Sequence, residues 1–126
     1  MITGIEHIAI YANDTKALAD WYVRVFDFRI VYDNGKGTYF VAAADGGMIE
    51  LCATEDPAKK TATSESGIRH IALSTDRLAE MTEKLMAEGV EVVTPMKMSD
   101  SGVGTFFFRD PEGNILHLIQ RPKPLV

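Results

Sequence analysis

The sequence predicts an α+β fold of two tandem β-α-β-β-β modules whose mixed sheets form a concave cup. Three observations carry this. Residues 4–10 read GIEHIAI and residues 67–73 read GIRHIAL, five of seven positions coinciding at an offset of 63 (70 − 7). Such an internal repeat fixes the architecture before local propensity does. Near the end of each half, GGMIELCA (46–53) is matched by GNILHLIQ (113–120), which superposes Gly46 on Gly113 and Glu50 on His117 at an offset of 67 (117 − 50). Finally, all four segments alternate with the period of a strand. Ile8 and Ile10, like Ile71 and Leu73, share one face, so His7 and His70 fall on the other.

The elements follow in order. After the first strand, Asn13-Asp14-Thr15 signals a helix start, and Leu18, Trp21, Tyr22, Val25 and Phe26 recur at helical spacing to about Phe28, as a core stripe. Arg29–Asp33 reads as a short strand, and Asn34-Gly35 with Gly37 as a turn. Thr38–Ala43 and Met48–Ala53 are strands separated by the turn Asp45-Gly46-Gly47. Residues 55–65, polar and with no hydrophobic period, form the linker. The second module has a strand at 67–74, an Asp76 cap, and a helix to about Glu88 with Leu78, Met81, Leu85 and Met86 inward. Gly89 ends that helix. Glu91–Thr94 is a short strand, and Pro95–Gly104 a Met-, Ser- and Gly-containing loop placed to act as a lid. Thr105–Arg109, the turn Asp110–Asn114 and the last strand complete the module, before a frayed tail Arg121–Val126. The chain therefore reads as a single domain, with module 1 at about 1–54 and module 2 at about 66–122.

At 126 residues the chain can bury a real core, and no apolar run approaches a membrane span. A net charge of −5 argues against a nucleic-acid groove or an anionic membrane surface. The N-terminus lacks the basic region and apolar stretch of a signal peptide, because Glu6 and His7 interrupt the only candidate. Cys52 is the single cysteine, which suits a reducing compartment, so the expected location is cytoplasmic.

The chemistry is expected from four polar side chains, His7, Glu50, His70 and His117, out of phase with the aliphatic residues that face the helices. They include every histidine of the chain. A lone histidine on a strand is usually structural; symmetry-related placement of four such groups is not. A carboxylate among aliphatic neighbours calls for a cation, and imidazole with carboxylate suits a first-row divalent metal with open positions. The lack of a thiolate in the set argues against a closed structural zinc site. Cys52 shares the face of Glu50 and reads as a small hydrophobe.

The paired H-I-A strands, the D-P-E-G-N turn before the last strand and the modular duplication resemble the vicinal oxygen chelate superfamily. That group includes glyoxalase I, bleomycin and fosfomycin resistance proteins, methylmalonyl-CoA epimerase and extradiol dioxygenases. The stretch GIRHIALSTD with DPEGN is most similar to bacterial glyoxalase I-like proteins. The resemblance implies a glyoxalase-like fold and a metal (nickel, zinc, manganese or iron) held by His7, Glu50, His70 and His117. It further implies a small substrate bound through two vicinal oxygens, a homodimer, and Glu50 as general base. Two departures from glyoxalase I stand out. His117 replaces a glutamate, and Ile8–Tyr11 lack the basic residue that meets the glutathione carboxylate. The expected activity is that of a metal-dependent lyase or isomerase. The alternatives are a ferrous dioxygenase using His7, His70 and Glu50, and a metal-free binder with a cup lined by Tyr11, Phe40, Phe106 or Phe108.

Overall fold

The computed structural model describes residues 1–56 and 66–126, and the chain divides into two compact units, Met1–Ala58 and Lys59–Val126. The expected linker at 55–65 lies, from residue 57 on, outside the described residues. In the first unit the elements are β1 (His7–Ala12), α1 (Thr15–Phe26), β2 (Arg29–Asp33), β3 (Tyr39–Ala42) and β4 (Met48–Ala53). They form a mixed sheet ordered β1-β4-β3-β2, with β1 parallel to β4 and the other pairs antiparallel. Helix α1 starts where Asp14 accepts a hydrogen bond from the Ala17 amide (3.0 Å) and stops where Asp27 turns left-handed (φ 58°). Its buried stripe of Leu18, Tyr22 and Val25 packs on a sheet whose Val41, Ile49 and Leu51 are also buried.

The second unit repeats this order with β5 (Ile71–Ser74), α2 (Leu78–Ala87), β6 (Glu91–Met98), β7 (Gly104–Arg109) and β8 (Ile115–Gln120). Its sheet runs β5-β8-β7-β6, again with one parallel pair, β5 and β8. Leu78 and Leu85 of α2 are buried, as are Phe106, Phe108, Leu116 and Leu118 of the sheet. Helix and sheet approach so closely at Gly104 that a Cβ there would lie 2.5 Å from Leu78 Cδ2. The fold is therefore the expected α+β arrangement of two four-stranded mixed sheets.

The register reproduces the repeat. Ala9 stands opposite Glu50 and Ala72 opposite His117, pairs related by the offsets 63 and 67 read from the sequence. The Asp110–Asn114 turn fixes where β8 begins. The Asp110 carboxylate accepts from the Glu112 and Asn114 amides (2.9 and 3.0 Å), and Gly113 takes φ 91°.

Four local expectations are corrected. Strand β6 runs on to Met98, so the proposed lid at 95–104 reduces to a tight turn closed by the Ser99 amide on the Val103 carbonyl (2.9 Å). Asp76 does not cap α2; Arg77 occupies the cap position, and the Leu78 amide donates instead to Gln120 Oε1 at 2.8 Å, from β8. Met86 is exposed rather than inward, while Met81 is half-buried. Strand β5 begins at Ile71, not at residue 67, because its partner β8 starts at Ile115 and offers nothing to pair with further back.

Candidate functional site

Each unit places its two expected donors together on the sheet face away from its helix. In the first unit, Ile8, Ile10, Ile49 and Leu51 take the helix side. His7 and Glu50 are thereby turned outward, with His7 Nε2 3.6 Å from Glu50 Oε1. The other ring nitrogen, Nδ1, meets the carboxylate of Glu6 at 2.6 Å. With Nδ1–H donating to Glu6, Nε2 is turned towards Glu50, the arrangement in which a carboxylate orients a ligating imidazole. Phe40, opposite Glu50 on β3, packs edge-on against His7 with centroids 5.1 Å apart. Cys52 lies beyond Glu50 on the same strand. Burial, and then the adjacent Glu50 carboxylate, push its thiol pKa up.

In the second unit, His117 is buried (8 % exposed) between Leu116 and Leu118, which point to the helix side. Neither of its ring nitrogens has a hydrogen-bond partner among the described residues, and His70 Nδ1 and Thr105 Oγ1 are likewise buried and unpartnered. The two imidazoles meet edge-to-face at 5.0 Å. Burial, and then the charge of His70, lower the His117 pKa to about 4; burial, and then Arg69, lower that of His70. Both rings are therefore neutral at physiological pH, the state in which imidazole donates to a metal.

Sequence reasoning missed Phe107. Its ring stacks on His117 at 4.0 Å and 13°, and meets His70 edge-on at 5.3 Å, as Phe40 meets His7. The signal was available: the offset of 67 that relates Glu50 to His117 also carries Phe40 onto Phe107. Phe106 and Phe108, expected to line the cup, lie instead on the helix side, 1 % and 0 % exposed. Tyr11 and Phe40 do fall on the outward face. The repeat also pairs Glu6 with Arg69, whose guanidinium carbon sits 5.1 Å above the Phe107 ring.

The donors present fit a divalent metal. The second unit offers two neutral imidazoles with unpartnered nitrogens, and the first an imidazole held by one carboxylate beside another, all of them donor types that suit a first-row divalent ion. Among the described residues no three His, Cys, Asp or Glu side chains gather into one cluster; each unit supplies a pair.

Comparison with known proteins gives the context. The family model described as Glyoxalase/Bleomycin resistance protein/Dioxygenase superfamily matches residues 4–118. The chain is 26 % identical over 117 residues to biphenyl-2,3-diol 1,2-dioxygenase 2 of Rhodococcus globerulus, covering 89 % of itself but only 60 % of that protein's length. It is 28 % identical over 119 residues to the metallothiol transferase FosB of Bacillus licheniformis, covering 93 % of itself and 75 % of the relative. Among solved structures, a mutant of the fosfomycin resistance protein FosX from Listeria monocytogenes, in complex with Mn(II) and 1S,2S-dihydroxypropylphosphonic acid, superposes with a TM-score of 0.77. It is 23 % identical, covering 99 % of this chain and 94 % of that one, a likeness of fold.

Proposed function

We propose, on the premise that this chain belongs to the Glyoxalase/Bleomycin resistance protein/Dioxygenase superfamily, that it is a metal-dependent lyase or isomerase acting on a small oxygenated substrate. His7, Glu50, His70 and His117 would hold one divalent ion of nickel, zinc, manganese or iron. On this reading the chain would be a single domain, with module 1 at about 1–54, a linker at about 55–65 and module 2 at about 66–122. The single observation that carries the reading is His117: an imidazole buried on a strand with both nitrogens unpartnered, at the repeat position of Glu50. An unsatisfied buried polar group costs about 1–3 kcal/mol, a penalty that ligation removes.

When bound, such an ion supplies Lewis acidity and a template for two vicinal oxygens. The chain's own residues do the rest. Glu50 is the carboxylate of the set, so its Oε atoms would accept the substrate proton, with His7 Nε2 3.6 Å away. Phe40 beside His7, and Phe107 beside His117, give each unit's donor pair an apolar neighbour. The reducing compartment that a single free thiol suits is the cytoplasm.

A second reading is favoured by the likeness to a biphenyl-diol dioxygenase. There His7, His70 and Glu50 would form the two-histidine, one-carboxylate set of a ferrous oxygenase, and His117 a fourth protein ligand or a second-sphere acid. A metal-free binder is the third. One experiment separates them. The apoprotein is reconstituted separately with nickel, manganese, zinc and ferrous iron, and each form is assayed against hemithioacetals of methylglyoxal with glutathione and with other thiols, and against catechols with oxygen monitoring. Isomerisation without oxygen uptake is expected; uptake confined to the ferrous form would replace the first reading by the second.

We also propose a homodimer. The edge strand β2 is exposed along its whole length, Ile30, Val31 and Tyr32 included, and β6 exposes Met96 and Met98. Apolar edges of this kind are normally paired or covered. Light scattering at micromolar concentration should return twice the mass of 13.9 kDa. A monomer would remove this part of the account.

A further inference from the structure

A cavity of about 550 Å³ opens in the second unit, lined by Ser74, Thr75, Asp76, Ile119, Arg121 and Lys123 together with the tail prolines. Its position is informative. Ser74 and Ile119 are paired across β5 and β8 and lie in phase with Ala72 and His117, and Arg121 directly follows the end of β8. Arg121 is near enough that its charge is felt at His117.

The cavity's charge runs against that of the chain, which is −5 overall. Among the described residues, Arg121 and Lys123 are in no ion pair, and neither is Asp76, which stands free of the helix-capping role its sequence position suggests. The Thr75 hydroxyl accepts from the Arg77 amide (3.0 Å), and its own proton remains to be donated inward. Two unpaired cations and a hydroxyl donor against one carboxylate make a cavity that takes an anion.

We propose that this cavity is an oxyanion subsite, and that the substrate carries a carboxylate or phosphate-type group set apart from the oxygens that face His70 and His117. Arg121 is its principal anchor, a planar guanidinium able to meet two oxygens at once. The inference rests on the proposed metal-dependent reading for its link to the substrate, while the subsite itself requires no metal.

The test uses the full chain, metal-free, titrated separately with inorganic phosphate, methylphosphonate and acetate and followed by backbone amide resonances. Saturable shifts are expected at Thr75, Asp76, Arg121 and Lys123, weakening as sodium chloride is added. Arg121→Gln should weaken binding about tenfold or more. Arg121→Lys should recover part of the loss, and Asp76→Asn should tighten binding. A response to phosphate and methylphosphonate alone assigns a phosphate-type group; a response to acetate as well assigns a carboxylate. Shifts that never saturate, or that persist unchanged in Arg121→Gln, would identify an adventitious ion only and overturn the proposal. Because no metal is present, a protein that binds these anions but no metal would sink the metal-dependent reading and leave the subsite standing.

Discussion

Replacing His117 by leucine is expected to abolish tight metal binding and, in the same variant, to stabilise the metal-free protein in mild acid. Both effects have one cause. The folded protein holds the imidazole neutral, with a pKa lowered to about 4 from the ordinary 6.5. Between those values the unfolded chain takes up a proton that the folded chain refuses. Stability is therefore lost as pH falls from about 6.5 towards 4 and regained as it rises. At pH 5 the cost is about 2 kcal/mol, one pKa unit being worth about 1.4 kcal/mol. Leucine has nothing to protonate and leaves no unpartnered nitrogen. Urea unfolding with chelator present should therefore show the variant more stable than wild type at pH 5, with the gap narrowing at pH 7. The stacked contact with Phe107 is given up in exchange, a smaller term. A variant that keeps wild-type metal affinity would remove His117 from the ligand set.

Glu50→Gln is the second large effect. The amide keeps the shape and the position on β4 but cannot accept a proton as a base. On the isomerase reading, kcat should fall by about 10²–10⁴-fold, the usual contribution of a positioned general base. Exchange of the substrate's carbon-bound proton with solvent should be lost in parallel. Metal affinity should weaken less than for His117→Leu, because the amide oxygen still offers a lone pair. Undiminished proton exchange in the glutamine variant would assign the base elsewhere.

How much of this the sequence discloses depends on the range of the interactions involved. The two offsets of 63 and 67 related one module to the other, and they carry the register of β1 with β4 onto that of β5 with β8. The capping aspartate of α1 was equally legible, because its bond reaches only three residues along the chain. The start of α2 was not: the group that satisfies the Leu78 amide is Gln120, 42 residues away, and a local rule prefers the adjacent Asp76. Strand β6 was cut short for another reason. Pro95 and the small residues after it argue for a loop, yet β6 is an edge strand whose pairing with β7 shifts between Val92 and Thr94 and again between Thr94 and Lys97. An irregular edge accommodates a proline that a central strand would reject. Three consecutive phenylalanines hid the remaining element. Composition cannot say which of Phe106, Phe107 and Phe108 faces outward; pairing with β8 decides it, by setting Phe107 opposite His117.

The proposed metal stands or falls on elemental analysis of protein purified from metal-replete medium, alongside His70→Ala prepared in the same way. About one divalent ion per chain is expected in the wild type, with the content of the alanine variant sharply reduced, since each neutral imidazole lost from a first-row metal site weakens it severely. A wild-type content near zero, or an alanine variant as well loaded as its parent, would contradict the account.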